Sequence, residues 1–64
     1  MQGSGKQYSR LFRKAGVFLR KGQVAEAIGV FEEGEKLAKE LGDEEIVALF
    51  AQEIKNSRRQ QQGH

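Results

Sequence analysis

Sixty-four residues make one domain, and a chain of this length buries only about 60% of the surface that its unfolded form exposes, so modest stability is expected. Eleven Lys and Arg against nine Asp and Glu give a formal charge of +2. The absence of cysteine excludes disulfides and thiolate metal sites, and His64 alone cannot assemble a zinc site, so no metal or cofactor is expected and packing must carry the fold.

Proline and threonine are also absent, while Ala, Leu, Glu, Lys, Arg and Gln dominate, which is the composition of an all-α protein. Residues 1–6 carry glycines and a serine without apolar periodicity and read as a flexible lead-in. From Tyr8 the apolar residues fall at Leu11, Phe12, Ala15, Phe18 and Leu19, the spacing of one helical face, which predicts a first helix over residues 7–21. Gly22, following Arg20 and Lys21, is a helix stop that can take the left-handed conformation. Val24, Ala27, Ile28, Phe31, Ala38 and Leu41 then mark a second helix over residues 24–41, closed by Gly42 in the same way.

Asp43 is a good N-cap for a third helix, with Glu44 and Glu45 in the first turn where the helix dipole favours negative charge. Ile46, Val47, Phe50 and Ile54 share its apolar face, and it is expected to reach Ser57 or Arg59. Residues 60–64 read as a frayed polar tail, leaving a domain over 7–59. Short connections imply antiparallel neighbours, so the expected fold is a three-helix antiparallel arrangement with the second helix in the middle. Val30, Leu37 and Leu41 broaden that helix's apolar surface enough to meet a helix on either side.

The first two helices resemble a tetratricopeptide repeat, whose signature sets a large apolar residue, a small residue and an aromatic in one helix and Ala-x3-Phe in the next. Leu11 stands where the family usually has Trp, Ala15 where it has Gly, Phe18 where it has Tyr, and Ala27 with Phe31 form the second-helix pair. The chain departs from the pattern at Lys14, at Gly34, where alanine is commoner, and at Lys39. The resemblance spans one repeat, residues 8–41, and implies a hairpin capped by the third helix. Its expected core is Leu11, Ala15, Phe18, Ala27 and Phe31, joined by Phe50 from the third helix. A lone repeat leaves faces uncovered, which implies a stacked homodimer or another partner.

No constellation for catalysis stands out. Gly3-Ser4-Gly5-Lys6 lacks the earlier glycine, the following Ser or Thr and the preceding strand of a phosphate-binding loop. The glutamates read as a solvated face, and Ser4, Ser9 and Ser57 have no candidate base apart from His64. The apolar runs fall far short of the roughly 20 residues needed to cross a bilayer, and no signal peptide opens the chain, so a cytoplasmic, non-enzymatic protein is expected.

Charge is the best functional clue. Lys6, Arg10, Arg13, Lys14, Arg20 and Lys21 give the first helix and its lead-in six bases and no acid, whereas residues 24–53 hold nine acids against two bases. Attraction between the two helices across the hairpin is one consequence, each exposed pair contributing at most about 1 kcal/mol. First helices of tetratricopeptide repeats line a peptide-gripping surface, so the resemblance implies a docking face for an acidic peptide or protein at Arg10, Arg13, Lys14, Val17 and Arg20. Homo-association through opposite charges is a further expectation, with Phe12, Val17 and Leu49 as apolar interface candidates. The alternative is a small nucleic-acid-binding protein in which Arg10, Arg13, Lys14, Arg58 and Arg59 contact phosphates and Tyr8 stacks on a base.

Overall fold

The computed structural model describes residues 4–62, which form three helices and no strand: α1 (Ser4–Arg20), α2 (Val24–Leu41) and α3 (Glu44–Gln62). Both reversals are Schellman caps. Gly22 and Gly42 each take φ of 77°, which a residue without Cβ adopts at little cost. At the first reversal the Gly22 amide donates to the Leu19 carbonyl at 3.0 Å and the Gln23 amide to that of Phe18 at 2.8 Å. At the second, Gly42 donates to Lys39 at 3.2 Å and Asp43 to Ala38 at 2.9 Å, so each cap satisfies carbonyls that the helix end would orphan. The Asp43 carbonyl accepts from Val47 at 2.9 Å, which sets Asp43 at the N-cap position of α3.

Two boundaries differ from the sequence reading by more than one residue. Helix α1 begins at Ser4, so residues 4–6 are helical rather than a lead-in, and residues 1–3 lie outside the described part. Once a helix is nucleated each further residue adds a hydrogen bond, and nothing in Ser4, Gly5 or Lys6 blocks it. Helix α3 continues through Gln60, Gln61 and Gln62, good helix formers that apolar periodicity cannot register because the stripe ends at Ile54. Gly63 and His64 lie outside the described residues.

Helix α2 packs against both neighbours, whereas no Cα atom of α1 comes within 8 Å of one in α3 among the described residues. The result is a slab of about 41 × 18 × 12 Å. Ala15 and Ala27 are fully buried and let α1 and α2 approach closely, and Phe31 and Phe50 fill the centre. Phe50 bridges the gap between the outer helices: its ring stacks on Phe12 at 4.6 Å and meets the edge of Tyr8 at 5.9 Å. Leu11 and Phe18, expected at the core, are half-buried and pack against its margin. A single layer of helices has no second layer to cover them.

Gly34 explains one departure from the repeat pattern. A Cβ built there would collide with the Phe50 ring, lying 2.8 Å from Cδ1 and closer still to Cε1 and Cζ. The missing side chain lets Phe50 lie on the backbone of α2 and reach α1. No fully buried side-chain nitrogen or oxygen is left without a hydrogen-bond partner among the described residues.

Candidate protein-docking surface

An α-helix turns about 100° per residue, so the positions opposite the buried Tyr8 and Ala15 form the outer edge of α1. Lys6, Arg10, Arg13, Val17 and Arg20 fall along that edge, and the four basic residues are exposed. Lys14 and Lys21, also exposed, flank it. The sequence-predicted docking residues Arg10, Arg13, Val17 and Arg20 are thus brought into one stripe, with Lys14 at its side. Gly5, Lys6, Ser9, Arg10 and Arg13 line a shallow depression near its start.

Val17 sits about 200° from Ala15 and does not belong to the apolar cluster, yet it is half-buried rather than exposed. Arg13, Lys14, Arg20 and Lys21 lie within helical reach of it at three or four residues' separation, and their methylene stems can cover an apolar neighbour. Phe12 is not a free surface residue either, being engaged by the Phe31 and Phe50 rings. Leu49 is 51% exposed, as a surface candidate should be, and Leu41 is 50% exposed at the end of α2.

The bases of α1 are not consumed by the acids of α2. Among the described residues the ion pairs are Lys39 with Glu35 at 3.9 Å and Arg58 with Glu32 at 3.2 Å, neither of which involves α1. The reason is geometric: α1 and α2 meet through Ala15, Ala27 and their apolar neighbours, and their charges point away from that seam. Arg58, Arg59 and Lys55 line a separate groove between α2 and α3 with Glu32 and Glu35. Among the described residues no Cα atom of α3 lies within 8 Å of one in α1, although Gln60 and Gln61 near the end of α3 share a depression with Gly22, Gln23 and Glu26 just beyond α1.

Tyr8, assigned to base stacking in the nucleic-acid reading, is 7% exposed and committed elsewhere. Its hydroxyl donates to Oδ2 of Asp43 at 2.7 Å, tying the start of α1 to the turn between α2 and α3. Burial, then the hydrogen bond to the Asp43 carboxylate and that group's negative charge, push the phenol up to about 12 from 10.0. The sequence marked Tyr8 as apolar and Asp43 as a cap; a bond across 35 residues carries no local signal.

No group of three or more His, Asp or Glu side chains is placed to hold a metal ion among the described residues, and no helix there is long and apolar enough to cross a membrane. Comparisons with family models, curated proteins and solved structures give no match.

Proposed function

We propose that the chain is a protein–protein interaction module, a tetratricopeptide-like hairpin with a capping third helix, whose docking surface is the outer edge of α1 and whose partner presents acidic side chains. The observation that carries this reading is the row of exposed bases on α1, none of them in an ion pair among the described residues. Single exposed pairs are weak, each about 0.2–1 kcal/mol, but a row of like charges steers an oppositely charged partner and fixes its register. The burial of Tyr8 favours a protein partner over nucleic acid, since the ring assigned to base stacking is not available on the surface.

Titration with a labelled Glu-rich helical peptide tests the reading. Arg10→Glu with Arg13→Glu is expected to weaken its binding by about tenfold or more while leaving helicity unchanged, because both side chains are exposed. Tight, salt-sensitive binding of single-stranded RNA by the parent in preference to the peptide would instead favour the nucleic-acid alternative.

A further inference from the structure

The same chain carries an acidic face whose spacing matches the basic edge of α1. Along the outer edge of α1, Lys6, Arg10, Arg13, Val17 and Arg20 are separated by four, three, four and three residues. On the solvent face of α2, Glu26, Gly29, Glu33, Lys36 and Glu40 are separated by three, four, three and four, and all five are exposed. Both are heptad seams, the spacing with which one helix lies along another, and each spans about 21 Å at 1.5 Å per residue. None of these ten residues takes part in an ion pair among the described residues.

The two spacings superpose when the helices run antiparallel. Lys6 then faces Glu40, Arg13 faces Glu33 and Arg20 faces Glu26, while Val17 faces Gly29. Gly29 leaves room for Val17: it is exposed, and a Cβ built there meets nothing within 4 Å, so an apolar side chain can approach the α2 backbone at that point without obstruction. One position opposes the match, Arg10 against Lys36. A parallel alignment keeps three opposite-charge pairs and places Arg10 over Gly29, but its spacings run out of step and it sets Val17 against the Lys36 ammonium.

Within one copy the seams cannot meet, because α1 and α2 are joined through their buried faces and both seams point away. We propose that the outer edge of α1 in one copy docks antiparallel on the solvent face of α2 in a second copy, with Val17 seated over Gly29. This rests on the reading of the α1 edge as a docking surface and names its occupant. The contact joins unlike faces, so copies add head to tail. One short seam is smaller than a standard stable interface, so self-association is expected to be weak and to need a high chain concentration.

Sedimentation equilibrium up to about 1 mM chain at low salt is the test. The weight-average mass of the parent is expected to rise with concentration and to fall back towards one chain at about 0.5 M salt, where charges are screened beyond roughly 4 Å. Arg13→Glu and Glu33→Arg are each expected to weaken association about fivefold or more, and the double variant to restore it, because the pair is rebuilt with its signs exchanged. Lys36→Glu is expected to strengthen it, by converting the one repulsive position. A parent that stays monomeric, or a double variant as weak as either single variant, overturns the proposal. A monomeric parent that still binds the Glu-rich peptide removes self-docking alone, whereas loss of both removes the docking reading with it.

Discussion

Gly34 and Phe50 show how one residue's identity can depend on another far along the chain. Alanine at position 34 would gain roughly 1 kcal/mol of helix propensity over glycine, but its Cβ would drive into the Phe50 ring, and overpacking of this kind costs about 1–3 kcal/mol. Gly34→Ala is therefore expected to destabilise the domain, whereas Gly29→Ala, with open space around the new Cβ, is expected to stabilise it by up to about 1 kcal/mol. Urea unfolding of the two variants checks the contrast; a stabilised Gly34→Ala would contradict the packing described. In the sequence Gly34 reads only as a departure from the repeat pattern, since its reason lies sixteen residues away in Phe50. Tyr8 makes a comparable long-range bond to Asp43. The folded state holds the phenol proton to about pH 12, while an unfolded tyrosine releases it near 10.0. Stability from this group is complete below the unfolded value and is lost as pH rises through the folded one. Tyr8 is the sole tyrosine, so phenolate absorbance reports it directly, and Tyr8→Phe is expected to flatten the fall in melting temperature across that window.

At the scale of elements, periodicity and the two glycine stops located α2 residue for residue and the start of α3, because apolar spacing and left-handed caps are local signals. The outer ends of α1 and α3 escaped that reading, as Ser4, Gly5 and the glutamines carry no apolar marks. Leu11 and Phe18 lie at the margin of the core rather than within it, because the described helices form a single layer with nothing packed over those side chains. One helix start is poorly served: Gln23, the N-cap of α2, has φ of −93° and ψ of 70° and gives no side-chain hydrogen bond to the cap. Gln23→Asp is expected to raise stability by about 1 kcal/mol, by accepting from an otherwise orphaned amide and by placing negative charge at the helix start. Thermal unfolding followed by circular dichroism would show it as a higher melting temperature.

For the molecule as a whole, the charge segregation was legible from the sequence, and so was the grouping of Arg10, Arg13 and Arg20 on one edge of α1, because a helix converts spacing directly into a face. What the sequence could not show is that the bases of α1 remain outside the hairpin's own ion pairs, a consequence of α1 and α2 meeting through alanines and aromatics. The same packing turns the basic edge and the acidic α2 face outward in every copy. The central claim, that the outer edge of α1 is the surface that captures acidic protein, is tested most directly by following backbone amide shifts by NMR during titration with the Glu-rich helical peptide. The changes are expected to concentrate at Lys6, Arg10, Arg13, Val17 and Arg20. Changes confined to Lys55, Arg58 and Arg59, or no changes at all, would contradict it.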